Sequence, residues 1–199
     1  QMGVALQDLG DLKAAVDCYK QALRIKPDDA AAYNNMGVAL ENMGACDAAI
    51  GSYKQALKIK PAFADAYYNM GNVLKDKGEL DAAIDSFKQA IKFKPDHTEA
   101  FSNMGNALLD KRELGAAIDS YKQALKIKPD YAEVHYNLSF PYLLQGSVKE
   151  GFNLYEWRWK KSKLDSAPLT TDRPAWQPQT AGRVLLWSEQ GVGDMIMFA

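Results

Sequence analysis

Small, aromatic and apolar positions recur along this chain with a step of 34 residues, set among polar and charged ones. Gly3, Gly37, Gly71 and Gly105 keep that step, and so do Tyr19, Tyr53, Phe87 and Tyr121. Ala22, Ala56, Ala90 and Ala124 follow it, as do Pro27, Pro61, Pro95 and Pro129. One unit reads AAYNNMGVALENMGACDAAIGSYKQALKIKPAF and the next ADAYYNMGNVLKDKGELDAAIDSFKQAIKFKPDH. Each unit predicts two helices joined by a tight turn. Gly44 and Gly78 suit the left-handed residue that closes the first helix. The unit's proline has no N–H and biases its predecessor away from α geometry, so it ends the second helix. A single hairpin of this kind buries too little to stand alone, whereas stacked neighbours share a continuous core.

The order of aromatic, Leu/Met-Gly, Ala, aromatic, Ala and Pro at these spacings strongly resembles the tetratricopeptide repeat, over residues 1 to about 160. The resemblance implies an all-α, right-handed α-solenoid of about four to five helical hairpins, with a short extended or strand-like tail. The unit glycines and Ala49, Ala83 and Ala117 are expected to be small because paired helices approach closely there. Repeat one lacks most of its first helix, because Gly3 already stands at the glycine position. A fifth unit starts near Ala132 and degenerates: Ser139 replaces the glycine, Gly151 the alanine, and Arg158 takes a close-packing alanine site. Pro141 is expected to kink or split that unit's first helix. The reading divides the chain into a solenoid over 1–163 with a capping last hairpin, a Pro/Trp linker over 164–183, and the start of another domain over 184–199.

A solenoid without catalytic clusters works through its concave face, lined mainly by the first helix of each hairpin. Asn35, Asn69, Asn103 and Asn137 fall there, 34 apart, and Asn72 and Asn106 lie one turn further on. An amide offers two donors and an acceptor, which matches the backbone of an extended peptide. A ladder of them would grip main chain and tolerate many side chains. By YNNMGVAL and FSNMGNALL, the ladder resembles that in the superhelical repeats of O-linked N-acetylglucosamine transferases. The alternative is that these amides bond neighbouring helices and fill the groove.

Half of the 24 Lys and Arg form a ridge on the second helices: Lys20, Lys54, Lys88 and Lys122, then Arg24, Lys58, Lys92 and Lys126, then Lys26, Lys60, Lys94 and Lys128. A polyanion surface would look like this. Cations near helix C-termini, with Asp85 and Asp119 three residues before Lys88 and Lys122, explain it equally simply. No aromatic residues interleave for base stacking, and net charge is −1, so nucleic acid is not an expected partner. No apolar run approaches a bilayer span, so no membrane partner is expected either. Cys18 and Cys46 form no CxxC, which suits a reducing, cytoplasmic compartment. His97 and His135 have no second ligand at metal spacing, so neither a metal nor a cofactor is expected. Cys46 replaces a leucine, and His135 an aromatic, as packing residues.

After Tyr155 the composition changes. YEWRW leads through a stretch containing Pro168, Pro174 and Pro178 into GRVLLWSEQGVGDMIMFA. Trp157 and Trp159 are expected to cover the end of the core. Val184 to Trp187 reads as a buried strand, Gly191 to Gly193 as a turn, and Asp194 as a helix N-cap. This arrangement is similar to bacterial tetratricopeptide proteins that continue into a heptosyltransferase-like glycosyltransferase domain. That resemblance makes Asp194 a candidate general base of a parent enzyme; capping alone is the other reading. Residues 184–199 provide one strand and part of a helix, so this chain is not expected to be an enzyme by itself. The apolar tail is expected to be disordered or to self-associate against another copy. Two function classes follow: a scaffold that binds peptide or protein in its groove, or the substrate-selecting module of a glycosyltransferase.

Overall fold

The computed structural model describes residues 2–160. Among them the elements are α1 (Met2–Asp8), α2 (Leu12–Ile25), α3 (Ala30–Asn42), α4 (Cys46–Ile59), α5 (Ala64–Asp76), α6 (Leu80–Phe93), α7 (Thr98–Asp110), α8 (Leu114–Ile127), α9 (Ala132–Leu144) and α10 (Val148–Tyr155). A 3₁₀ turn over Glu156–Lys160 follows, and the described residues contain no strand. Successive helices pack as antiparallel hairpins, giving a right-handed α-solenoid.

Local rules set the boundaries. Each second helix ends one residue before an extended Lys26, Lys60, Lys94 or Lys128, with the unit's proline next. The turns within the hairpins put Gly10, Gly44, Gly78 and Gly146 at positive φ, near +80°. Arg112 holds the same position at φ 63° without glycine's freedom, a cost of about 1 kcal/mol or more.

The unit glycines serve the partner helix's ring. A Cβ on Gly37, Gly71 or Gly105 would meet the ring of Tyr53, Phe87 or Tyr121 at 2.5, 2.7 or 2.6 Å. Those three rings are fully buried, as are Ala49, Ala83 and Ala117. Each aromatic therefore sits against the bare backbone of its own hairpin's first helix. The core is a line of such ring-on-glycine contacts running through the stack.

The fifth unit solves the same problem differently. Ser139 is buried and its hydroxyl donates back to the Tyr136 carbonyl, so Tyr155 cannot sit where Tyr121 does. Its ring packs instead against Tyr136 and Phe140, at centroid distances of 5.3 and 6.4 Å. Gly151 admits Leu143, whose Cδ2 would lie 2.5 Å from an added Cβ. Pro141 does not split α9, which runs without interruption from Ala132 to Leu144. Pro141 occupies the buried slot of Ala39, Val73 and Ala107. Packing on both sides thus offsets the lost backbone bond, worth about 3 kcal/mol in an exposed helix.

Candidate groove and its amide network

Each odd-numbered helix from α3 to α9 touches the next odd one, and no comparable contact joins the even-numbered helices. Helices that touch lie on the inside of the curve, so α3, α5, α7 and α9 line the narrower face. The asparagines expected on that face are all there, each partly exposed.

They fall into two hydrogen-bonded groups, one between α3 and α5 and one running from α5 through α7 to α9. Asn34 Nδ2 donates to Asn35 Oδ1 at 3.3 Å, and Asn69 Nδ2 donates to Asn34 Oδ1 at 3.1 Å. One turn along α5, Asn72 Oδ1 accepts from Asn103 Nδ2 at 2.8 Å. Asn106 Nδ2 reaches Asn103 Oδ1 at a long 3.5 Å, and Asn137 Nδ2 donates to Asn106 Oδ1 at 3.1 Å. Except for Asn35, which bonds only Asn34 of its own helix, each ladder residue thus spends part of its capacity on a bond to a neighbouring helix. The remainder is open: Asn69 Oδ1, Asn137 Oδ1 and Asn72 Nδ2 have no partner among the described residues and are not sealed from solvent.

Sequence reading overlooked three members of these two groups. Asn34 is buried and bridges two hairpins. The Tyr68 hydroxyl accepts from Asn103 at 3.3 Å, while its ring packs on His97 at 4.6 Å. The Tyr121 hydroxyl donates to Asn106 Oδ1 at 2.7 Å, which ties the ladder to the core. The column 34, 68, 102 and 136 reads Asn, Tyr, Ser and Tyr, so its changing identity hid it from a search for period.

The Tyr53 hydroxyl makes a similar contact two hairpins earlier, donating to Glu41 Oε2 at 2.7 Å. Burial pushes the Glu41 carboxyl above its ordinary value, the nearby Asp76 charge adds to this, and the Tyr53 bond opposes it. A carboxyl raised in the folded state binds its proton more tightly there than in the unfolded chain. The associated stability is fully present below the unfolded value and is lost as pH rises through the folded one. Gln7 already performs this task as an amide, accepting from the Tyr19 hydroxyl at 2.6 Å. Glu41→Gln should therefore gain on wild type in urea midpoint as pH rises above the ordinary carboxylate range. Parallel midpoint curves over that rise would show that Glu41 is not the titrating group.

The other expectations fall into place around the groove. His135 stacks on Trp157 at 3.9 Å, and its Nε2 lies 2.7 Å from the Pro129 carbonyl, so it is a packing residue. His97 is buried at the start of α7, with Nδ1 3.2 Å from Glu99. Cys46 packs against the core beside α4's buried residues. On the outer ridge Lys88 pairs with Asp85 at 3.6 Å, whereas Lys122 lies over the Tyr142 ring instead of pairing with Asp119. Unread in the sequence were two bridges between hairpins, Lys77 to Asp47 and Lys111 to Asp81, both 2.6 Å. No helix among the described residues is long and apolar enough to cross a membrane. No group of three or more His, Cys, Asp or Glu among them is placed to hold a metal. The linker over 164–183, the segment 184–199, its proposed self-association and Asp194 lie outside the described residues.

Stacked hairpins with asparagines along the inner helices define a helical-repeat protein. The family profile described as TPR repeat matches residues 3–44, 43–78, 71–112 and 105–146, and the chain belongs to that family. No curated protein sequence matches it. Among solved structures it is similar to MamA, at 24% identity over 80% of this chain and 94% of that one, with a TM-score of 0.75. It is also similar to YrrB, described as a TPR protein with an unusual peptide-binding site, at 20% identity, 79% and 81% coverage and a TM-score of 0.68. PilF of Pseudomonas aeruginosa matches at 19% identity, 79% and 72% coverage and a TM-score of 0.72. At these identities the likeness is one of fold.

Proposed function

We propose that this protein is a protein-interaction scaffold that holds an extended peptide segment in its concave groove, against Asn35, Asn69, Asn72, Asn103, Asn106 and Asn137. The carrying observation is the set of hydrogen-bonded amides with open donors and acceptors along the inner helices. Bonds between these side chains fix their rotamers, so a ligand meets preorganised groups and little side-chain entropy is lost on binding. The peptide-binding site named for YrrB supports the reading by analogy of fold.

The test is the double variant Asn69→Ala/Asn103→Ala, assayed against a peptide selected on the wild-type chain from a random dodecapeptide library. Two lost ladder bonds at about 1 kcal/mol each correspond to roughly tenfold or greater weakening. Thermal unfolding followed in parallel separates a binding loss from a folding loss. Unchanged affinity in a folded variant excludes the ladder as the binding surface.

A second reading rests on YEWRW and on EQGVGD, the latter beyond the described residues. It makes the groove the acceptor-selecting module of a linked glycosyltransferase, with Asp194 as that domain's candidate base. A reading frame continuing past Ala199 into two Rossmann-like halves would favour it, and a stop soon after would remove it.

A further inference from the structure

Charge is sorted between the two faces of the solenoid. The inner helices α3, α5, α7 and α9 carry Glu41, Asp65, Asp76, Glu99, Asp110 and Glu133 against the single cation Lys75. Lys75 is already held by Asp76 at 3.1 Å. The second helices carry the lysine ridge, and most of their carboxylates are compensated: Asp17 by Lys20, Asp85 by Lys88, Asp47 by Lys77 and Asp81 by Lys111. In contrast Asp65, Asp110 and Glu133 are exposed and form no ion pair among the described residues.

These acids flank the ladder on both sides. Glu99 and Glu133 stand in the first turns of α7 and α9, and Asp76 and Asp110 end α5 and α7. Burial raises the Tyr131 hydroxyl, and the charges of Glu133 and Glu99 add to it; Tyr68, also within electrostatic reach, accepts from Asn103. At the other side burial and then the Asp110 charge raise the Tyr121 hydroxyl, which donates to Asn106. Acids in a first turn do favour the helix dipole. That account does not cover Asp76 and Asp110, which sit at the unfavourable C-terminal end. Asp76 has Lys75 beside it, but Asp65 and Glu133 on one rim and Asp110 on the other have no ion pair among the described residues, and carboxylates so placed attract a ligand of the other sign.

We infer that the groove selects extended segments carrying lysine or arginine, whose amides meet the asparagine ladder while their cations meet the two acidic rims. The inference rests on the groove reading above. The full chain is titrated by fluorescence anisotropy with three labelled synthetic dodecapeptides of alternating Lys-Ser, Glu-Ser and Asn-Ser. The Lys-Ser peptide is expected to bind about tenfold or more tighter than Asn-Ser at low ionic strength. At about 0.5 M salt, where screening is short-ranged, that advantage should disappear. The variant Glu99→Gln/Asp110→Asn/Glu133→Gln should bring Lys-Ser down to the Asn-Ser level with an unchanged melting temperature. Equal binding of the three peptides, preference for Glu-Ser, or undiminished Lys-Ser binding by the variant overturns the inference. If Asn-Ser binding still depends on Asn69 and Asn103 in those cases, the groove stands and only its charge preference is wrong. Peptide binding that neither set of variants alters, or no binding at all, removes both.

Discussion

Truncating Phe87 to Ala is expected to lower the unfolding free energy by about 3–5 kcal/mol, the largest single effect we anticipate. Phe87 is fully buried in α6, lies on Gly71, and packs near Tyr68 of the same hairpin at 6.1 Å. A close-packed surround relaxes only partly around a lost ring, so a cavity is expected to remain. Position in the stack should matter as much as size. In a solenoid each unit is stabilised through its neighbours, and a central unit has two of them. Tyr19→Ala, in the first hairpin, should fray that end and leave most of the transition in place. Urea unfolding followed by circular dichroism separates the cases. Equal losses for Phe87→Ala and Tyr19→Ala would contradict the coupling described here.

Gly105→Ala adds one methyl and is expected to cost about 1–3 kcal/mol, through overpacking. Its Cβ would meet the Tyr121 ring at 2.6 Å, and that ring is fully buried. Ser139 in the fifth unit shows the alternative: a Cβ is accepted when the aromatic moves, as Tyr155 has. Combining Gly105→Ala with Tyr121→Leu should therefore cost less than the two changes summed, by 1 kcal/mol or more. Strict additivity would mean that the glycine is not there for the ring. The same substitution should reach the groove, because displacing Tyr121 removes the hydroxyl that Asn106 accepts from. Peptide affinity should fall even at temperatures where Gly105→Ala is fully folded.

Those two glycine-and-ring positions also explain why the fold was legible. The residues that repeat every 34 are the ones whose size the packing dictates, so period and core coincide. Turn glycines and terminal prolines follow backbone geometry, which depends on one or two residues at a time. The site was legible only in outline. That Asn35, Asn69, Asn103 and Asn137 share a face follows from spacing alone. Their bonds across hairpins depend on rotamers and on Asn34 and Tyr68, whose column varies from unit to unit. Pro141 misled for a related reason: its backbone cost is local, while the buried slot that accepts it is formed by the rest of the stack. The lysine ridge was the most regular chemistry in the sequence. Much of it proved to serve ion pairs and cation–aromatic contacts, such as Lys60 over Phe63 and Lys128 over Tyr131.

The most direct test of the central claim is the set of side-chain amide resonances of the ladder, followed by ¹⁵N NMR as a library-selected peptide is titrated into the full chain. Shifts concentrated on Asn69, Asn72, Asn103, Asn106 and Asn137, with the lysines of the second helices unmoved, are the predicted result. Shifts confined to the lysine ridge, with the ladder amides unchanged at saturation, would contradict it.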